Sequence, residues 1–175
     1  MRLIPISQDD RSWNKIKTDW KAIADKAGED FSTLTAMFTI LEPFSVQEGS
    51  NSGLYGYYED GHASAVCQIS RILVSRFPHP VVRVRFVTVS PLYDSGSIDL
   101  IGYSQLMVGL FSGVVWLART TLGSRIIQFH LRSPSDAQYF AALQVAAPLS
   151  PFAKFSCKGA WIECMLKEQV SGQSS

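Results

Sequence analysis

The sequence predicts a single α/β domain with a mixed, mostly antiparallel sheet flanked by helices. Two features of the sequence favour this fold class. Apolar residues recur at helical spacing in the first part of the chain, and after residue 53 they follow the period of two that is typical of strands. The chain has 175 residues, of which 46% are hydrophobic and 18% charged, so it can bury one core. We expect one domain over residues 1–167 and a flexible polar tail over residues 168–175.

The N-terminal part of the sequence predicts one strand and two helices. The strand covers residues 2–6, and a helix capped by Asp9 or Asp10 continues to about Ala27. The buried stripe of this helix is expected at Trp13, Ile16, Trp20 and Ile23. A second helix is predicted over residues 33–41, ending before Pro43, because the residue before a proline disfavours helical geometry.

Three consecutive antiparallel strands are predicted next. They cover residues 54–58, 62–74 and 81–89. The Asp60-Gly61 pair between the first two strands is a strong hairpin signal, since both residues tolerate the positive φ angles of a tight turn. In the third strand Arg83 and Arg85 alternate with valines, as expected for a half-buried strand.

The C-terminal part predicts a long apolar helix, a short strand, another helix and a closing hairpin. The apolar helix is expected over residues 103–122, ended by Gly123, and the strand over residues 125–131. Ser133 followed by Pro134 indicates the start of a helix that continues to about Val145. A strand or hairpin over residues 152–166 completes the sheet. The apolar helix between the fourth and fifth strands predicts a parallel contact between these two strands.

Two segments of this pattern resemble the GCN5-related N-acetyltransferase (GNAT) superfamily, as a divergent member. The fourth strand ends in Val89-Ser90-Pro91-Leu92-Tyr93, similar to the Val-x-Pro-x-aromatic ending of that family. The loop Asp99-Leu100-Ile101-Gly102-Tyr103-Ser104 is similar to its phosphate-binding motif, in which Gln or Arg stands at the first position. The resemblance extends over about residues 54–143 and implies a GNAT-like fold.

The resemblance implies binding of acetyl-CoA or another acyl-CoA. The backbone N–H groups of Gly102, Tyr103 and Ser104 would hold the pyrophosphate at the positive end of a helix. The backbone of Val87 and Val89 would pair with the pantetheine arm as an added strand. Asp99 departs from the motif, which has Gln or Arg at this position. Its carboxylate would repel a pyrophosphate unless the side chain turns away or caps the helix.

The resemblance also implies an acid and a base for acyl transfer. The family's acid is a tyrosine on the helix after the fifth strand, and Tyr139 lies one residue before the matching position. Tyr139 is therefore a candidate acid, with packing or surface exposure as the alternative. His130, near the end of the fifth strand, is the candidate base, since histidine titrates near neutral pH. Its alternative is a hydrogen-bonded histidine at a strand edge.

The central helix lacks charge from Leu100 to Ala118. Its length is sufficient to span a membrane, but Ser104, Gln105 and Ser112 interrupt the apolar run, so a membrane span is not expected. Two faces of this helix are expected to be buried. The second face could contact another copy of the chain, the N-terminal helices or a partner protein. The Gly109-x-x-x-Gly113 spacing would let a neighbouring backbone approach.

The composition excludes several classes of site. A net charge of +1 gives no broad attraction for nucleic acid, although a local basic patch remains open. The three cysteines, Cys67, Cys157 and Cys164, lack metal or disulfide spacing, so no metal site is expected and a reducing cytoplasm is the expected compartment.

The resemblance and its departures leave two functions open. One is an acyl-CoA-dependent N-acyltransferase acting on an amine of a small molecule or protein. The other is a catalytically inactive GNAT-like binding or assembly module.

Overall fold

A seven-stranded sheet organises the chain. The computed structural model describes residues 2–46, 51–94, 98–130 and 152–168. The strands are β1 (Arg2–Ile6), β2 (Ser52–Glu59), β3 (His62–Ile72), β4 (Val81–Val89), β5 (Ile126–His130), β6 (Phe152–Lys158) and β7 (Trp161–Leu166). The helices are α1 (Ser12–Ala27), α2 (Ser32–Ser45), α3 (Pro91–Asp94) and α4 (Leu100–Thr120). The bounds of β1 and β4 agree with the sequence prediction.

The sheet is mixed and mostly antiparallel, as predicted. Its strand order is β1-β2-β3-β4-β5-β7-β6. Only the β4–β5 pair is parallel among the described strands, and α4 forms the crossover between these two strands. Such a connection needs a helix because parallel strands cannot be joined by a tight turn. The predicted parallel contact is therefore confirmed, and so is the predicted order of the described strands and helices.

Helices cover the two faces of the sheet differently. α1 and α2 bury the predicted aromatic stripe over β1–β3, and the indole N–H of Trp20 donates to the carbonyl oxygen of Ala63 at 2.8 Å. α4 lies on the opposite face and encloses a larger core with β2–β5 and β7. The α1/α2 side of β5, β7 and β6 carries the polar side chains of Gln128, Ser156 and Glu163, together with the buried Ile126.

The β2–β3 hairpin confirms the turn prediction. Asp60 and Gly61 adopt φ angles of 49° and 82°, and Glu59 pairs with His62 across the turn. Two positive φ angles match the right-handed twist of the flanking strands. Local chemistry was sufficient to predict this element.

The end of α2 and the start of α1 differ from the prediction. α2 continues through Pro43 to Ser45, because its last turn is held by tertiary contacts: the Ser45 carbonyl accepts the N–H of Gln8 at 3.0 Å, and Phe44 stacks on Phe86. α1 begins at Ser12 with Arg11 at the N-cap position, and the Asp10 carboxylate, one residue earlier, accepts the N–H of Ser12 at 2.8 Å. The predicted helix over residues 133–145 lies outside the described residues.

Candidate functional site

The parallel strands β4 and β5 separate at one end of the sheet. Their pairing runs from Val81–Ile126 to Val84–Phe129 and stops there, while β4 continues to Val89. Among the described strands, none pairs with this side of β4 beyond Val84. Unpaired backbone on a strand edge is a template for another extended chain. Among the described residues, the backbone of β4 from Arg85 to Val89 therefore has no strand partner on the β5 side; residues 131–151, which follow β5, lie outside the described part of the chain.

A β-bulge produces this separation. Between the pairs Gln68–Arg85 and Val66–Thr88, β4 has one residue more than β3, and Phe86 adopts a φ of 53°. An extra residue bends a strand and increases its twist. The bulge also reverses which residues face α4, since Val84 faces α4 before it and Val87 after it. The change in apolar alternation along β4 is visible in the sequence and indicates the bulge, but the prediction did not use it.

Val87 and Val89 lie on the open part of β4. Both side chains are half-buried against the core beneath α4. Their backbone belongs to the segment that has no β5 partner, which is where an extended ligand arm could pair. The structure places these two residues at the predicted location, and their binding role stays a prediction.

His130 ends β5 directly after the last β4–β5 pair. Phe129 packs on Phe111 of α4, so the alternation along β5 turns His130 to the opposite face of the sheet. There its ring contacts Trp161 of β7 edge to face, with ring centroids 4.7 Å apart. The imidazole therefore lies at the opening, on the side away from α4.

The first turn of α4 is capped by Asp99. The Asp99 carboxylate accepts the backbone N–H of Gly102 at 2.8 Å, and the Tyr103 N–H donates to the Asp99 carbonyl at 3.1 Å. α4 therefore begins at Leu100, three residues before the predicted start. Aspartate is a preferred cap because it satisfies an N–H group that the helix leaves free and carries negative charge at the positive helix end.

This cap bears on the expected phosphate donors. The N–H groups of Gly102 and Tyr103 already have acceptors, and Ser104 lies one residue deeper in the helix, where N–H groups bond within it. A phosphate at this end would face the carboxylate of Asp99. Gly102 itself is required by packing, because a Cβ there would collide with the side chain of Ile98. Tyr139, the expected acid, lies outside the described residues.

Gly109 and Gly113 of α4 lie against side chains of the sheet. A Cβ on Gly109 would collide with the hydroxyl of Tyr57, and a Cβ on Gly113 would lie 3.2 Å from Leu3. Both partners are buried core residues. The glycines therefore let α4 lie close to β1 and β2. Both also line the groove beside α4, and the expectation that they admit another backbone stays a prediction.

The outer face of α4 is exposed and largely apolar, with Gln105 and Ser112 as its exposed polar residues. Ile101 is 67% exposed, Val108 46% and Trp116 47%. These side chains follow the helical repeat and line a groove of about 1050 Å³ between α4 and Leu3 of β1. α4 is also long and apolar enough to cross a membrane by length and composition, with a mean hydropathy of 1.5 over Ile101–Thr120, of which 44% is buried in the fold.

One carboxylate at the end of this groove binds two tyrosines. Glu59 accepts the hydroxyl of Tyr93 at 2.9 Å and that of Tyr57 at 3.4 Å. Burial, followed by the negative charge of Glu59, raises the pKa of Tyr57 to about 12. No local sequence pattern predicts this cluster, because Glu59 and Tyr93 are 34 residues apart and only the fold brings them together.

Among the described residues, neither the cysteines nor a cluster of metal ligands forms a second functional site. Cys67 and Cys164 are buried and unpaired, and burial raises the pKa of Cys67 to about 12, so its thiol stays protonated. In the described ranges no group of three histidine, cysteine, aspartate or glutamate side chains could hold a metal ion.

Comparison with known proteins finds similarity in structure only. No protein-family model and no curated protein matches the chain. A possible acetyltransferase from Clostridium difficile 630 superimposes with a TM-score of 0.45 at 11% identity, over 90% of this chain and 96% of that one. An N-acetyltransferase from Staphylococcus aureus Mu50 gives 0.43 at 12% identity, over 94% of each chain. A GNAT-family acetyltransferase from Streptococcus pneumoniae gives 0.41 at 12% identity, over 94% of this chain and 97% of that one.

Proposed function

We propose that this GNAT-like domain is an acyl-CoA-dependent N-acyltransferase that modifies an amine of a small molecule or protein. The opening between β4 and β5 is the observation that carries the proposal. Among the described residues, the backbone from Arg85 to Val89 has no partner on the β5 side, and an extended ligand paired there would run toward the start of α4. Fold alone does not determine function, so the proposal rests on this local geometry.

The residues around the opening fit the arm of an acyl-CoA better than its phosphates. Val87 and Val89 lie where strand-like pairing with the pantetheine arm is possible. The pyrophosphate would lie at the first turn of α4, where the Asp99 carboxylate is already bonded to Gly102. Rotation of the Asp99 side chain releases the Gly102 N–H, so binding requires that the cap open.

The chemistry requires a base at the opening. A bound acyl-CoA supplies an acyl group activated as a thioester. His130 lies at the opening, and its neutral imidazole can take a proton from the attacking amine, directly or through a water. Tyr139 is the candidate acid for the thiolate that leaves. The compartment proposed for this reaction is the cytoplasm.

Calorimetric titration with acetyl-CoA tests the proposal. We expect saturable binding at low ionic strength, with weak affinity because Asp99 opposes the phosphates. Mass spectrometry of amine mixtures incubated with acetyl-CoA then detects transfer. Absence of heat and of a thermal shift at millimolar ligand would remove the acyl carrier from the proposal.

A second candidate function is assembly through the outer face of α4, with a second copy of this chain as the partner. Exposed apolar side chains that share one face of a helix are typical of an interaction surface. Ile101, Val108 and Trp116 form such a face. In this reading, Asp99 serves only to cap α4, and no acyl carrier binds.

The assembly role predicts a dimer that one substitution dissociates. Trp116→Glu places a charge in the apolar face, and burying it against a second copy would be costly. Light scattering after size-exclusion chromatography is expected to show a dimer for the wild-type chain and a monomer for this variant. Leu73→Glu is the matched control, since Leu73 is 82% exposed outside α4. A monomeric wild-type chain would contradict the assembly role.

A further inference from the structure

We propose that a polar cluster on β4, β5, β7 and β6, on the sheet face away from α4, binds a small molecule through its phosphate or carboxylate group. This face lies on the opposite side of the sheet from α4, beside the layer formed by α1 and α2. It contains a cavity of about 350 Å³, a size that suits a small ligand and not a polymer. The cavity is lined by Arg76, Arg83, Gln128, Lys158, Trp161 and Glu163, together with Ser156. The inference goes beyond the proposed function and does not depend on it, since anion binding needs no acyl donor.

Positive charge exceeds negative charge on this face. Arg83 and Lys158 line the cavity, and Arg85 lies one strand repeat beyond Arg83 on the same side of β4. Glu163 is the one carboxylate among the lining residues, and it already pairs with Arg76 at 2.7 Å. Arg83, Arg85 and Lys158 have no acidic partner in the described part of the chain. An anion would supply the missing counter-charge.

Arg83 is held in position with its terminal nitrogens available. Its Nε donates to the side-chain oxygen of Gln128 at 2.8 Å, and the Gln128 amide nitrogen donates to Glu163 at 2.9 Å. These hydrogen bonds hold the guanidinium group of Arg83 through its Nε atom alone. The two terminal NH₂ groups can therefore bind a phosphate or carboxylate with two parallel hydrogen bonds.

The arginines are close enough to repel each other. Burial, followed by the positive charges of Arg85 and Arg76, lowers the pKa of Arg83 from its ordinary value. Arg83 and Arg85 also share the ring of Trp161, with guanidinium carbons 5.8 and 5.7 Å from its centroid. Aromatic contact offsets part of this repulsion, and a bound anion would offset more.

The experiment uses three probes that share one ring: phenyl phosphate, benzoate and neutral phenol. Each is titrated into the full chain at low ionic strength while NMR follows the indole N–H signal of Trp161, assigned with Trp161→Phe. We expect a saturable shift with one or both anions at dissociation constants of about 1 mM, and none with phenol. The two anionic arms distinguish a phosphate site from a carboxylate site. The affinity should fall as salt rises.

Two variants locate the site. Arg83→Gln is expected to weaken anion binding about tenfold, because it removes a bidentate charged donor. Lys26→Gln removes the same charge from α1, has no ion pair to lose, and is expected to bind as the wild-type chain does. Equal shifts with phenol, no saturation at about 10 mM anion, or equal affinities for the two variants would each overturn the inference. The wild-type titration decides the first two outcomes even if Arg83→Gln does not fold.

Discussion

Gly109→Ala is expected to destabilise the fold by about 2 kcal/mol, although alanine is the better helix former. The new methyl group would meet the hydroxyl of Tyr57, a side chain with no exposed surface. Forcing an extra methyl into a packed core costs about 1–3 kcal/mol or more. The gain in helix propensity from glycine to alanine is only about 1 kcal/mol. Packing therefore decides the sign, and urea unfolding should show a lower midpoint with an unchanged slope.

A companion substitution separates the collision from other effects. Tyr57→Phe removes the hydroxyl oxygen but leaves a ring carbon 2.7 Å from the added Cβ. The double variant with Gly109→Ala and Tyr57→Phe should therefore recover only part of the lost stability. Ser112→Ala, on the exposed face of the same helix, is the control and should change stability by less than about 0.5 kcal/mol. If Gly109→Ala were as stable as Ser112→Ala, α4 would not lie as close to β2 as the structure shows.

Local sequence signals were sufficient for most of the sheet. The Asp60-Gly61 turn and the alternation in Val81–Val89 are properties of neighbouring residues, so they predict β2, β3 and β4 without knowledge of the rest of the chain. α4 was predicted as a helix for the same reason. Its start was misplaced because the resemblance led us to treat Asp99 as part of a phosphate loop, whereas a cap residue three positions before Gly102 predicts an earlier start.

Features that depend on distant residues were not predictable. The helix past Pro43 is held by Gln8, and the orientation of Gly109 depends on Tyr57 of β2. The alternation of Arg83 and Arg85 was interpreted only as a strand pattern. Their charge matters because β5, β7 and β6 bring further polar side chains beside them while α1 and α2 cover other strands. A single sequence without the fold contains no signal for that juxtaposition.

Asp99→Asn is expected to strengthen acetyl-CoA binding about thirtyfold, a change of about 2 kcal/mol. Asparagine caps helices as well as aspartate does, so α4 should keep its start and its stability. The substitution removes one negative charge from the place where the proposed function puts a pyrophosphate. Near a protein surface two unit charges 4 Å apart interact by about 4 kcal/mol, so relief of this repulsion should dominate the change in affinity.

Calorimetry at two ionic strengths provides the measurement. The difference between Asp99→Asn and the wild-type chain should shrink at high salt, because exposed charges are screened. Asp30→Asn is a matched control, since the Asp30 carboxylate accepts the N–H of Ser32 at 2.8 Å at the start of α2. It should leave binding unchanged.

The possible results separate the two proposed functions. Tighter binding by Asp99→Asn alone supports a carrier site that the native carboxylate restrains. Equal binding by both chains would show that Asp99 turns aside without cost, and the electrostatic argument would be wrong. No binding of acetyl-CoA by either chain would mean that the Asp99 carboxylate is not what prevents binding. The opening beside Val87 and Val89 would then hold no acyl carrier, and the outer face of α4 would remain as the basis for a function in assembly.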